Sequence, residues 1–257
     1  MILLSFDIEE FDMPLEYGKE INFQDQIDIS ISGTNHILDI LDKHRVKATF
    51  FSTVVFAQNA TEVIKRIIRD GHELASHSFY HSAFELEHLL TSKKVLEEIS
   101  GQEIAGFRMP RMKPIDEHEV KKAGYLYNSS INPTWLPGRY NNLAQPRTRF
   151  KEAGIWQIPA SVSPWVRFPL FWLSFHNLPL GIYRWLAEKT HKKDGYLNIY
   201  FHPWEFTDLK DKKRFGLPSY ISNSSGKKMI ENMDSFISDF KREHYTFSTI
   251  SNFLQNS

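Results

Sequence analysis

The chain has 257 residues, 31 basic and 31 acidic, so its formal net charge is zero, and 41% of it is hydrophobic. That length and balance suit a globular protein with a sizeable core and argue against a nucleic-acid binder, which would carry a basic excess. It contains no cysteine. Disulfides and thiolate metal sites are therefore excluded, and any metal must be held by nitrogen and oxygen.

Strand-like and helix-like segments alternate. Residues 2–8 read as a buried strand that ends in acids. Apolar residues at helical spacing (Ile37, Leu38, Ile40, Leu41) predict a helix over 31–44. A β-rich run spans 47–55, and 62–70 repeats the helical pattern, with Gly71 as its stop signal. Short strands are expected at 72–76 and 104–107, with a helix at 92–100 between them. A helix over 116–123 ends at Gly124 and leads into a strand at 125–131. Strands at 155–160 and 196–201, a long helix at 227–241 and a last strand at 246–250 complete the pattern. Seven or eight strands in a βαβα rhythm predict a parallel sheet closed into a barrel. No linker, repeat or low-complexity tract divides 1–257, so one domain is expected.

The uncharged run 168–183 contains Pro169, Pro179 and Gly181 and is shorter than the roughly 20 residues a spanning helix needs. It predicts a buried aromatic helix pair, and the stretch 164–185 is a candidate for peripheral membrane contact. No basic stretch followed by a long apolar run precedes Asp7, so the expected location is cytoplasmic. Oligomeric state is not readable.

Chemistry-bearing residues gather where strands end, the catalytic side of such folds. Asp7 and Glu9 are two apart on the first strand and share one face, with Glu10 on the other. His77 and His81 are four apart, a spacing that puts both imidazoles on one side of a helical turn. With a carboxylate from the first strand they would make a His₂-carboxylate face, open on one side, as in catalytic rather than structural zinc sites. Solvated strand-end acids and a surface helix are the plainer explanations of the same residues. Arg108 and Arg111 flank Pro110 after another strand. A guanidinium there can keep a neighbouring carboxylate ionised, and the backbone N–H after Pro110 can serve as an oxyanion donor. His202, at the end of a late strand, is placed to protonate a leaving amine. His72 begins its strand, away from that end, and reads as structural.

Taken in order, these segments resemble the NodB-homology polysaccharide deacetylases, carbohydrate esterase family 4, over nearly the whole chain. Ser5-Phe6-Asp7-Ile8-Glu9 resembles the first motif, Gly71 through His81 the His-Ser-x-x-His metal motif, and Phe107-Arg108-Met109-Pro110-Arg111 the third. Gly124 through Ile131 is similar to a segment usually written with Asp before Ser-Ser, and Tyr200-Phe201-His202-Pro203-Trp204-Glu205 to the final motif. The resemblance implies a distorted (β/α)7-type barrel and metal-assisted hydrolysis of an N-acetyl group on a glycan or N-acetylated sugar. It implies Asp7 as base, His202 as acid and Arg108 orienting the base. It implies Glu9, His77 and His81 around a divalent cation, with zinc expected; cobalt, manganese or nickel suit the same donors. Arg111, Trp135 and Trp204 are the expected substrate contacts.

Three departures stand out. The commonest first motif has adjacent acids, whereas Ile8 separates them here, which leaves Glu10 as the alternative ligand. Asn128 stands where an acid is usual, which predicts weaker electrostatic support for Arg108. Arg111 replaces an aromatic or small residue and would favour an acidic or phosphate-bearing substrate. The rival readings are a metal-dependent amidohydrolase of a small cyclic amide and a glycan-binding or assembly protein without catalysis.

Overall fold

The computed structural model describes residues 1–256. Its strands are β1 (Ile2–Ile8), β2 (Thr49–Ser52), β3 (Glu73–Ser76), β4 (Gly106–Phe107), β5 (Tyr127–Asn128), β6 (Trp135–Leu136), β7 (Tyr140–Asn141), β8 (Phe150–Glu152), β9 (Ile155–Gln157), β10 (Leu197–Phe201) and β11 (Phe247–Ser248). Seven of them lie parallel in the order β10-β1-β2-β3-β4-β5-β9. β8 extends the sheet antiparallel to β9, β11 pairs with the first residues of β1, and β6 and β7 form a separate hairpin.

No strand pairing joins β9 to β10 among the described residues; the chain after β9 bridges that seam instead. Ser161 donates its N–H to the Asn198 carbonyl at 2.8 Å, and Asn198 returns its own N–H to the Ser161 hydroxyl at 2.8 Å. The Asn198 amide adds bonds to the carbonyls of Ile158 (3.0 Å) and Pro159 (3.2 Å). The predicted barrel is therefore a curled sheet whose last gap is closed partly by one side chain.

β1 shows how the pleat divides the two cores. Every residue of it is buried. Leu4, Phe6 and Ile8 face the helices, in one cluster with Phe50, Leu74, Phe201 and the apolar stripe Ile27, Ile37, Leu38 and Leu41 of the helix Phe23–His44. Each such side chain contributes about 1.5–3 kcal/mol on burial. Ser5 and Asp7 alternate with them and point inside. The inner core is small (Leu3, Phe51, Ala75, Tyr127 and Ile158 among its members), which leaves polar groups to fill the carboxyl end. Two glycines permit close approaches. A Cβ on Gly106 would sit 2.1 Å from the Tyr127 ring, and one on Gly33 would sit 1.9 Å from the Pro203 carbonyl oxygen.

Several boundaries differ from expectation. The helix predicted from 31 starts at Phe23, where Asn22 caps it by accepting the Asp25 N–H at 2.8 Å; interspersed acids and amides hide its first two turns from an apolar count. The strand expected at 125–131 is only Tyr127–Asn128, because Ser129 and Ser130 turn their hydroxyls to Arg108 and to the Met109 N–H. The run 168–183 does hold two helices, Trp172–Asn177 and Leu180–Asp194, with Phe175 and Tyr183 packed on each other and on Phe236. Trp165 and Val166 ahead of them are 74% and 78% exposed. No described helix is long and apolar enough to cross a membrane.

Candidate active site

Strand register builds the site. Ile8, Ser52, Ser76, Phe107, Asn128 and Gln157 lie in one row across the sheet. The backbone ladder continues one residue further, through Thr53, His77, Arg108, Ser129 and Ile158. Glu9 follows Ile8 at that level. Phe6 pairs with Phe201, which puts Asp7 beside His202. Residues distant in sequence therefore reach one rim because their strands end together.

Glu9, His77 and His81 converge with ligand atoms within 4.8 Å of one another. Glu9 Oε2 lies 3.2 Å from Nε2 of each histidine. The far nitrogens are already engaged: His77 Nδ1 with the Arg108 carbonyl at 2.8 Å, His81 Nδ1 with Asp12 Oδ1 at 2.9 Å. A carbonyl or carboxylate oxygen accepts, so each Nδ1 carries the proton and each Nε2 turns a lone pair inward. Glu9 Oε2 is buried and accepts no hydrogen bond. Three electron-rich atoms face one another, an arrangement that a cation between them satisfies. Burial works to lower the His81 pKa, but the carboxylates of Glu9 and Asp12 hold it up at about 9, so a proton competes with a cation for its Nε2 lone pair.

The imidazoles do not meet on a helical turn, contrary to the reading from their spacing. Residues 77–86 are irregular. Ser78 adopts φ 69°, and its carbonyl and that of Phe79 accept the N–H groups of Val54 and Val55 at the start of the helix Val54–Asn59. Those contacts turn the loop back so that both rings face Glu9. Glu10 does not compete. Its Oε2 accepts the Thr53 hydroxyl at 2.6 Å on the other face, and its carboxyl is raised, by burial first, with the neighbouring Glu9 charge adding to the shift.

Asp7 is buried beside Arg108, whose Nη1 donates to it at 2.6 Å. Burial pushes the Asp7 carboxyl up. The charges of Arg108, His77 and His202, with the Arg108 hydrogen bond, together outweigh that and hold it below its ordinary value. Arg108 is itself fully buried: besides Asp7 it donates to Ser5 Oγ (3.0 Å), Ser129 Oγ (2.9 Å) and the Ser129 carbonyl (3.0 Å), and it lies 4.0 Å from the centre of the Phe51 ring. Asn128 takes no part in this. It donates to Glu117 at 2.8 Å and accepts from Ser130, so its neutrality does not weaken the support of Arg108.

His202 stands across from Asp7. Its ring stacks on Trp204 at 4.8 Å and 15°, with the edge of Trp172 5.5 Å away. Its Nδ1 faces Glu205 Oε1 at 3.0 Å. Burial works to lower the His202 pKa, and the Glu205 hydrogen bond with the charges of Glu9, Glu205 and Asp7 raises it above the ordinary value.

The expected substrate contacts fare differently. Trp204 is 1% exposed and packs on Phe11, Trp172 and His202, so it walls the histidine rather than lining a groove. Trp135 is 59% exposed on the β6–β7 hairpin, whose Leu136 packs near Tyr200 and Phe171. Arg111 is partly exposed, but Glu16 pairs with it and Asp12 Oδ2 lies 3.6 Å away, so its charge is largely neutralised within the protein. Arg111 and Met112 both have positive φ, 59° and 52°, an uncommon conformation at the mouth of the site. Sequence reasoning missed Asp12, Glu205, His176 and Asn198. Glu205 lay inside the final motif without a role of its own, and Asn198 carried the signal of a polar residue inside an apolar strand.

Residues 21–127 match the family model described as polysaccharide deacetylase. Over 234 residues the chain is 22% identical to the peptidoglycan-N-acetylmuramic acid deacetylase PdaA of Bacillus subtilis; the match covers 86% of this chain and 66% of that protein, just under two thirds. Among solved structures, a protein described as a polysaccharide deacetylase from Mycobacterium smegmatis superposes with a TM-score of 0.71 at 17% identity, covering 99% of this chain and 88% of that one. A Puue allantoinase superposes with a TM-score of 0.65 at 16% identity, covering 98% and 87%. Those two likenesses establish the mixed α/β fold.

Proposed function

We propose, from the match of residues 21–127 to the polysaccharide deacetylase family model and the likeness to a peptidoglycan deacetylase, that the chain is a metal-dependent hydrolase that removes N-acetyl groups from an amino-sugar glycan or glycan precursor. The observation that carries this reading is the meeting of Glu9, His77 and His81 on the rim that also holds Asp7 and His202. Two nitrogen donors and one oxygen donor, each imidazole fixed from behind, suit zinc or another divalent cation of similar preference. When bound, such a cation polarises the amide carbonyl and acidifies the attacking water.

The protein's own groups divide the remaining work. Asp7, kept ionised by Arg108, takes the proton from the attacking water. The backbone N–H of Arg111, after Pro110, is the proposed donor to the developing oxyanion. His202 gives its Nε2 proton to the departing amine as the C–N bond breaks. Trp135 offers an exposed ring to a sugar face, and the neutralisation of Arg111 favours an uncharged N-acetylhexosamine over an acidic one. A cytoplasmic location and a single-domain organisation over 1–257 belong to the same proposal.

The decisive assay is acetate release from N-acetylhexosamine oligomers by chelator-stripped protein before and after adding zinc. No release in either state would overturn the proposal. The allantoinase likeness favours one second reading, hydrolysis of a small cyclic amide; the same preparation opening a cyclic amide while leaving the oligomers intact would select it.

A further inference from the structure

We propose that Glu205 and His176 form a buried positioning pair that fixes His202 as the proton donor, an inference that rests on the deacetylase reading above. Glu205 is fully buried, and each of its oxygens is taken. Oε1 accepts the backbone N–H of His202 at 2.6 Å and faces His202 Nδ1 at 3.0 Å. Oε2 faces Nε2 of His176 at 2.8 Å. An ionised carboxylate only accepts, so both ring nitrogens turned towards it carry hydrogen. His202 is thereby held with Nδ1–H inward and Nε2 towards the cavity that Asp7 and Glu9 share.

The local sequence explains the placement. Pro203 opens the 3₁₀ turn Pro203–Phe206 directly after β10, which brings Glu205 back over His202, three residues earlier. His176 comes from another element, the helix Trp172–Asn177. Trp172 of that helix meets the edge of the His202 ring, so one helix supplies both a steric stop and the second imidazole. His176 Nδ1 is buried without a partner. The whole polar interaction of that ring is therefore spent on Glu205.

A buried carboxylate is costly unless several donors hold it ionised. Burial pushes the Glu205 carboxyl up, and the hydrogen bonds from His176 and His202 bring it below its ordinary value. The charged and titratable groups that act on His202 are Asp7 and Glu9 from the β1 end and Glu205 from its own turn. His176 acts through Glu205, and the buried Tyr183 hydroxyl lies near that carboxylate. During leaving-group departure the Nε2 proton of the His202 imidazolium passes to the amine nitrogen as the C–N bond breaks. The imidazole is left neutral, Nδ1–H stays in place, and Glu205 remains ionised throughout. No proton moves on to His176.

The test compares metal-loaded wild type with Glu205→Gln and His176→Gln, using acetate release across pH and nitrogen NMR of the His202 ring. Thermal unfolding checks that each variant is folded. Glu205→Gln is expected to lower kcat by about 10²-fold or more with little change in KM. It should also move the alkaline limb of kcat to lower pH, since the imidazolium loses its counter-charge. His176→Gln should shift the same limb in the same direction by less, and Glu205→Asp should recover part of the loss. In wild type the ring signal should report the Nδ1–H tautomer, and Glu205→Gln should abolish that preference. An unchanged limb and an unchanged His202 tautomer in folded Glu205→Gln would overturn the positioning pair. A wild type that shows the tautomer and its loss in the variant, yet releases no acetate, would support the pair and refute the deacetylase reading instead.

Discussion

Gly33→Ala is the sharpest way to connect packing with the site. Gly33 sits inside the helix Phe23–His44, where alanine is ordinarily the better residue by about 0.5–1 kcal/mol. Here the added methyl would lie 1.9 Å from the Pro203 carbonyl oxygen and 2.4 Å from its carbon, where 3.0 Å is the practical limit. The turn Pro203–Phe206 must retreat by about 1 Å or the helix must move. Neither is easy, since Trp204, Glu205 and Phe206 are buried. Overpacking of this kind costs about 1–3 kcal/mol, a fall of several degrees in Tm for a chain of this size. The same displacement carries His202 and Glu205 with it. A misplacement of about 1 Å at a reacting group costs roughly 10²-fold in rate. Thermal unfolding and acetate release measured on the same preparation check both effects. Gly181→Ala serves as the control, since a Cβ there meets nothing within 4 Å and its helix should gain slightly. A Gly33→Ala protein with wild-type Tm and wild-type kcat would refute the argument that this close approach sets the position of His202.

Other expectations follow from the same geometry. Asp7→Asn should abolish acetate release while leaving bound-metal stoichiometry intact, because Glu9, His77 and His81 are untouched; it should also lower stability by a few kcal/mol, since Arg108 loses its buried counter-charge. Asn198→Leu should cost about 2–4 kcal/mol by denaturant unfolding, because the carbonyls of Ile158 and Pro159 at the sheet seam lose their donor. His72 is buried, its Nδ1 accepts the Ala48 N–H at 3.3 Å, and burial first, then the charge of Lys47, lowers its pKa from 6.5 to about 4. The unfolded chain therefore binds a proton below 6.5 that the folded chain refuses. Stability should fall as pH drops from 6.5 towards 4, by up to about 3 kcal/mol. His72→Gln, which cannot titrate, should flatten that part of the stability–pH curve; an unchanged curve would show that His72 does not set it.

Much of the arrangement was legible because it rests on period and position. β1 reads as apolar residues up to an acid, and the structure adds only which way the pleat turns. The alternation of Leu4, Phe6 and Ile8 with Ser5 and Asp7 fixes the faces, so pairing Asp7 with Glu9 was a local inference. The strand-terminal rule located Arg108 and His202 for the same reason. The His77–His81 spacing picked out two rings that do converge, but a helix was inferred where a Ser78 turn and the N-terminus of a neighbouring helix bend the loop.

What the residues determined alone were periodicities, strand ends and donor types, since each depends on a few neighbours in the chain. Only the tertiary structure decided which acid meets the imidazoles, that Asn128 turns to Glu117 rather than Arg108, that Trp204 is a wall, and that Glu205 stands between His176 and His202. Those choices depend on strands ending at a common level, which brings Arg108 to Asp7 across 101 residues, and on a helix supplying His176, and no short window of sequence encodes such distances.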